Sequence, residues 1–172
     1  MQLGVVIYVK IVYNYITNIY PLPKEEITMI QLIVGAKGKG KTKILLDKVN
    51  TEVKDAHGSI VYLDKSPKHM YELNNKIRLI DVSGFELESS GEFIGFVYGI
   101  LSQDHDLEQM YLDSFLKISL TDAATANDLL RKLDKISEKF GVTFVISISL
   151  EGADIAEDLK KYMIAEDRKS VV

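Results

Sequence analysis

A glycine-rich segment of eight residues, Gly35 to Thr42, constrains the fold of this chain more than any other feature. Its sequence, G-A-K-G-K-G-K-T, fits the pattern G-x-x-x-x-G-K-S/T. It follows an apolar run at residues 29–34 that has the composition of a strand. It precedes a segment in which Leu45 and Val49 share one face at helical spacing. This order of strand, glycine-rich loop and helix is the context in which the pattern binds phosphate.

The residue types of this segment suit the wrapping of a phosphate chain by backbone N–H groups. Gly35, Gly38 and Gly40 leave the backbone free to close on the anion. We expect Lys41 to place its ammonium group against the β- and γ-phosphates, and the hydroxyl of Thr42 to bind Mg²⁺ at the start of the helix. The predicted nucleotide-binding residues are Gly35, Ala36, Lys37, Gly38, Lys39, Gly40, Lys41, Thr42 and Lys43, of which Lys41 is also a candidate catalytic residue.

The composition excludes several other classes of protein. A chain of 172 residues, with 47% apolar and 27% charged residues, can form one domain with a real core but not two. The absence of cysteine excludes disulfides and cysteine-bound zinc and suits a cytoplasmic protein. A net charge of −4 argues against general binding of nucleic acid. Three arginines are few for a small-molecule kinase with a lid, which usually clamps phosphates with several.

The three histidines, His57, His69 and His105, lie far apart in the sequence. Their separations do not match the spacing of metal ligands. We therefore expect them at solvated loop positions.

The first 28 residues differ in composition from the rest of the chain. Residues 4–20 are a dense run of valine, isoleucine and tyrosine, which Pro21 and Pro23 end. This run could be a membrane anchor, although Lys10 near its middle is costly there, or an additional strand or helix on the sheet. We adopt a third hypothesis, in which Met29 is the true start and residues 1–28 are translated upstream sequence. A membrane contact is expected only if this leader is native.

From residue 29 onward, strand patterns alternate with helix patterns. The alternation predicts an α/β fold, a three-layer α/β/α sandwich around a mainly parallel sheet. We expect a nucleotide-binding domain over residues 29–165 and a flexible tail over residues 166–172. After the first strand, strands are predicted at residues 59–63, 77–82, 109–113 and 142–149. Helices are predicted directly after the glycine-rich loop and at residues 92–101, 126–140 and 153–163.

Two of the predicted strands end in an acid, Asp64 and Asp113, and either could complete the coordination of Mg²⁺ with Thr42. The order of loop strand, peripheral strands, acid strand and a strand ending in serines resembles the RecA-like class of P-loop NTPases. The chain also resembles short single-domain bacterial P-loop proteins described as ATP-binding. In the RecA-like class, the strand ending at Asp113 looks like the acid strand. The resemblance therefore implies Asp113 as the metal ligand, and Ser147 or Ser149 as a polar sensor beside the γ-phosphate.

The same resemblance raises a question about hydrolysis. Many RecA-like ATPases place a glutamate after the acid strand or after the second strand, where it polarises the attacking water. Here those places hold Ser114 and the segment Asp64-Lys65-Ser66. Asp64 is the candidate to replace the glutamate in catalysis, and a turn-forming role for it is equally compatible with the sequence.

The expected ligand is ATP with Mg²⁺. ATP is favoured over GTP because the tetrapeptide N-K-x-D, which reads guanine, does not occur. The leading hypothesis is a nucleotide switch with slow or partner-stimulated hydrolysis of ATP. One alternative is an ATP-dependent transferase, because residues 38–42 look like the loop of corrinoid adenosyltransferases. The other is a non-catalytic interaction module that holds ATP as a structural ligand. The sequence does not identify a protein partner.

Overall fold

A computed structural model describes residues 30–166 of the chain. The leader at residues 1–28, the proposed start at Met29 and the tail after Glu166 lie outside the described residues. Every statement on structure below concerns residues 30–166.

The centre of the fold is a parallel sheet of six strands. In chain order, the strand bounds are β1 Ile30–Val34, β2 Ser59–Asp64, β3 Ile77–Asp81, β4 Leu107–Leu112, β5 Thr143–Ile148 and β6 Met163–Glu166. The strands lie side by side in the order β3-β2-β4-β5-β1-β6. Three of them, β1, β2 and β5, are mostly apolar and almost entirely buried, as expected for strands that are covered on both faces. The strand β5 lies between β1, which precedes the glycine-rich loop, and β4, which precedes Asp113.

Helices cover both faces of the sheet and complete three layers, which confirms the predicted fold class. Helix α1, Lys41–Glu52, buries Leu45, Leu46 and Val49 against one face. The other helices bury their apolar residues in a second, larger core on the opposite face. Their bounds are α2 Ser90–Gln103, α3 Phe115–Ile118 and α4 Ala126–Phe140.

Local signals set the ends of the longer helices. The hydroxyl of Ser89 accepts the backbone N–H of Glu92 at 3.2 Å and so caps the start of α2. Helix α4 ends at Gly141, whose φ of 68° is in the left-handed region. The apolar stripe along one side of α4 consists of Ala126, Leu129, Leu130, Leu133, Ile136 and Phe140. It is buried as far as Ile136, whereas Phe140 is partly exposed and contacts the ring of Tyr98.

The predicted helix over residues 153–163 is wrong. The chain instead forms two 3₁₀ segments, Gly152–Asp154 and Glu157–Tyr162, followed by the sixth strand, β6. Within residues 153–163, only Ile155 and Leu159 are buried. A continuous helix would therefore have little apolar surface to bury. The open edge of β1 offers backbone hydrogen bonds to an extended chain, and this pairing overrides the local helix propensity.

Candidate functional site

The glycine-rich loop connects β1 to α1 at the carboxyl end of the sheet. Gly38 and Gly40 both have φ of 82°, a left-handed conformation that glycine adopts without strain. Gly40 is the residue that precedes the first turn of α1, where Lys41 and Thr42 begin the helix. The backbone therefore favours glycine at position 40, which the sequence pattern fixes, and at position 38, which the pattern leaves variable.

Replacement of Gly40 by alanine is expected to destabilise the protein by about 1–2 kcal/mol, because a Cβ strains the left-handed conformation although nothing lies within 4 Å of it. Gly95 lies in the middle of α2 with equally open space and no positive φ. Gly95→Ala is expected to stabilise by about 0.5–1 kcal/mol. The free energy of unfolding of each variant, measured in urea, shows whether Gly40→Ala destabilises the protein and Gly95→Ala stabilises it. Equal effects would show that the loop does not depend on the conformation of Gly40.

Lys41 is buried, with 8% of its surface exposed. Its Nζ donates a hydrogen bond to the carbonyl oxygen of Ala36 at 2.8 Å, so the side chain folds back over its own loop. The ammonium group is thus held inside the curve of the loop, where a phosphate chain would lie. Lys43 has a different position, because its side chain is 80% exposed and forms an ion pair with Asp47 at 3.4 Å. Of the four lysines predicted to bind the nucleotide, Lys43 is the one that does not line the cleft described below.

Asp113 lies at the end of β4 with 1% of its surface exposed. Its Oδ1 accepts hydrogen bonds from the hydroxyl of Thr42 at 3.1 Å and from that of Ser147 at 2.6 Å. The backbone N–H of Ser114 also donates to Oδ1, at 2.8 Å. Ser114 has φ of 54°, an uncommon value for a serine, and this turn directs its N–H toward both Asp113 and Ser147. The structure therefore brings together Thr42 from the start of α1, Asp113 from the end of β4 and Ser147 from the end of β5.

Tyr62 is a member of this network that sequence reasoning missed. Its hydroxyl donates to Oδ2 of Asp113 at 3.2 Å, and its ring stacks on Tyr111 with 6.2 Å between centroids. Burial raises the pKa of Tyr62, and the nearby carboxylates of Asp113 and Asp64 raise it further. The phenol consequently stays protonated and remains a donor. No signal in the sequence separates this tyrosine from the apolar residues of its strand.

Asp64 lies at the end of β2, buried with 1% of its surface exposed. Its Oδ1 accepts the backbone N–H of Lys65 at 2.7 Å, and its Oδ2 lies 2.7 Å from Nδ1 of His69. Asp64, His69 and Asp113 each offer a ligand atom, and these atoms lie within 4.8 Å of one another. The expectation of solvated loop histidines is therefore wrong for His69, whose side chain is only 12% exposed. A 3₁₀ turn at residues 67–69 brings the His69 side chain back onto Asp64. The two residues are five positions apart in the sequence, a spacing that does not predict a contact between side chains.

Lys41, Thr42, Asp113 and Ser147 border a cleft of about 440 Å³, whose lining does not include Asp64 or His69. The glycine-rich loop at residues 35–42, called the P-loop below, forms one wall of the cleft. Residues at or after the ends of β2, β4 and β5 form the other wall. Ser149, the second candidate sensor, lines the cleft and is exposed, whereas Ser147 is buried against Asp113. The lining residues with polar side chains are Lys37, Lys39, Lys41, Thr42, Lys65, Lys68, Asp113, Ser114, Lys117, Ser147 and Ser149.

The side-chain oxygen atoms of Thr42 and Asp113, which line the cleft, are of the kind that binds a magnesium ion. Mg²⁺ binds oxygen ligands and retains several waters, so one or two protein oxygens and the phosphates of a nucleotide complete its shell. Thr42 Oγ1 and Asp113 Oδ1 are such oxygens and lie 3.1 Å apart. Oδ1 already accepts hydrogen bonds from Thr42, Ser147 and the N–H of Ser114, and these would have to rearrange for direct coordination. The nitrogen of His69 in the neighbouring cluster is a softer ligand that suits Mg²⁺ less well.

Comparisons with known proteins agree with the fold. No family model matches the chain, and no curated protein matches it. Among solved structures, the chain is similar to a KaiC-like protein from the hyperthermophilic archaeon Pyrococcus horikoshii. The TM-score is 0.50 at 15% sequence identity, over 83% of this chain and 74% of the other. This likeness is one of fold, and it agrees with the three-layer α/β architecture around a parallel sheet. Within residues 30–166, no helix is both long enough and apolar enough to cross a membrane.

Proposed function

We propose that the chain binds ATP with Mg²⁺ in the cleft between the P-loop and the ends of β4 and β5. The loop would wrap the phosphates, Lys41 would contact the β- and γ-phosphates, and Thr42 with Asp113 would hold the metal ion. When bound, the metal would neutralise part of the charge of the terminal phosphates. The protein would then act as a nucleotide switch, because residues after both β2 and β4 line the cleft and the terminal phosphate would contact both segments.

The observation that carries this proposal is the hydrogen bond from Thr42 to Asp113. These residues are 71 positions apart in the sequence, yet their oxygen atoms lie 3.1 Å from each other at the mouth of the P-loop. Ser147 fixes the orientation of the carboxylate at 2.6 Å, and Tyr62 binds its second oxygen. The hydrogen bonds from Ser147 and Tyr62 thus orient the carboxylate beside the threonine hydroxyl, as the outer contacts of a metal ligand do.

Slow turnover is the second part of the proposal. Both oxygens of Asp64 are already engaged, one by the N–H of Lys65 and the other by His69. For Asp64 to orient a water molecule, one of these contacts would have to open. We therefore propose that hydrolysis is slow in the isolated protein and that a bound partner accelerates it by moving the segment that carries His69.

Binding of ATP, ADP and GTP in Mg²⁺, followed by an assay of phosphate release, tests this proposal. We expect ATP to bind more tightly than GTP, and phosphate release to be slow. Binding without any release, even with candidate partners, would favour the non-catalytic module. Release of triphosphate rather than phosphate, together with an adenosylated acceptor, would favour the transferase. Tight binding of GTP in preference to ATP would contradict the proposed ligand.

A further inference from the structure

Lysines from separate parts of the chain converge on the cleft. Lys37 belongs to the P-loop, Lys65 and Lys68 follow β2, and Lys117 lies in the short helix α3 after Asp113. Lys39 and Lys41 line the same cleft from the loop side. Six lysines therefore face a space in which Asp113 is the lining carboxylate.

Two of these lysines, Lys65 and Lys117, follow the ends of the neighbouring strands β2 and β4 and line the same cleft. Contact with the Lys65 ammonium group, and then charge repulsion from Lys65 and Lys37, lower the pKa of Lys117. Within residues 30–166, no ion pair joins Lys37, Lys65, Lys68 or Lys117 to a carboxylate. Like charges held near each other without a counter-charge are unfavourable, and an anion placed between them would relieve the repulsion.

The position of this pair matches one part of a bound nucleotide. Thr42 and Asp113 would hold the metal, and with it the terminal phosphates, at this end of the cleft. Lys65 follows the end of β2 and Lys117 follows the end of β4, so both lie on the Asp113 side of the cleft. The loop backbone occupies the other side. A nucleotide whose other phosphates lie in the loop would place its terminal phosphate on the Asp113 side.

We propose that Lys65 and Lys117 form a second phosphate-binding site, specific for the terminal phosphoryl group of the nucleoside triphosphate held by the P-loop. This inference rests on the proposed function. The pair supplies in the same chain the cationic contacts that arginines often provide to a γ-phosphate. It thereby makes the cleft selective for the triphosphate over the diphosphate, and it links the segment after β2 to the segment after β4 only when the γ-phosphate is present.

The test is calorimetric titration of the full chain with ATP and with ADP, both in excess Mg²⁺. The variants are Lys65→Ala, Lys117→Ala, the double alanine variant and the double arginine variant. Lys132→Ala is the matched control, because Lys132 is exposed on α4 and does not line this cleft. Both target lysines are at the surface rather than in either core, and circular dichroism verifies that each variant is folded.

We expect each single alanine substitution to weaken ATP binding by about tenfold while ADP binding changes by less than about threefold. The double arginine variant should keep the preference for ATP, and Lys132→Ala should bind both nucleotides as the wild type does. Equal losses for ATP and ADP would overturn the proposal, since they would indicate general attraction of anions. An unchanged preference in the double alanine variant would overturn it too, and would leave the proposed function standing if the wild type binds ATP. A wild type that binds neither nucleotide would overturn both.

Discussion

Replacement of Lys41 by alanine is expected to weaken Mg-ATP binding by about ten- to a hundredfold. Hydrogen bonds to charged groups contribute about 1.5–3 kcal/mol each, and Lys41 is the ammonium group that the curve of the loop encloses. Its burial means that no neighbouring lysine can take its position without moving the loop. Fluorescence or calorimetric titration of wild type and variant measures the change directly.

The matched control for this substitution is Lys54→Ala. Lys54 is exposed just beyond the end of α1, and its loss changes the net charge of the protein by the same amount. Screening by salt limits its effect on a ligand at the other end of the helix, so we expect a change of less than about twofold. If Lys41→Ala bound Mg-ATP as tightly as Lys54→Ala does, the P-loop would not be the nucleotide site.

Replacement of Asp113 by asparagine is expected to abolish the effect of Mg²⁺ on ATP affinity. The variant keeps the size of the side chain but loses the negative charge that would hold the metal beside Thr42. The affinity for ATP in Mg²⁺ should therefore fall to the value measured in EDTA. Titration of ATP under both conditions, with circular dichroism to verify folding, gives the ratio of affinities.

Asp64→Asn is the control that separates the two candidate acids. Asp64 lies one strand farther from the P-loop, and both of its oxygens are held by Lys65 and His69. We expect this variant to retain the Mg²⁺ dependence of the wild type and to lose phosphate release if Asp64 orients the attacking water. The reverse result, with Mg²⁺ dependence lost in Asp64→Asn and kept in Asp113→Asn, would make Asp64 the metal ligand.

Much of the architecture could be predicted from the sequence because the signals are local. The glycine-rich segment, the apolar strands and the stripe of α4 each lie within one element, so their periodicity is enough to define them. The expected closeness of Thr42 and Asp113 depended on a further rule, that the carboxyl ends of parallel strands meet at one edge. The structure brings these residues together as expected. Their roles in nucleotide and metal binding stay predictions.

The features that could not be predicted depend on contacts between distant residues. The final segment pairs as β6 with β1, more than 120 residues earlier in the chain, and this pairing rather than local propensity decides its conformation. Tyr62 became a partner of Asp113 through the register of β2 beside β4. Lys65 and Lys117 share a wall of the cleft for the same reason. None of these contacts leaves a periodic trace in the sequence.

The proposed metal–nucleotide complex between the P-loop and Asp113 depends on Mg²⁺ for part of its stability. Its test is the dissociation constant of ATP from the wild-type chain, determined in excess Mg²⁺ and again in EDTA. We expect Mg²⁺ to tighten binding by at least about tenfold, since the metal would add charge-assisted contacts to both the phosphates and the carboxylate. An affinity for ATP that is the same with and without Mg²⁺, or no binding in either condition, would show that the cleft does not hold this complex.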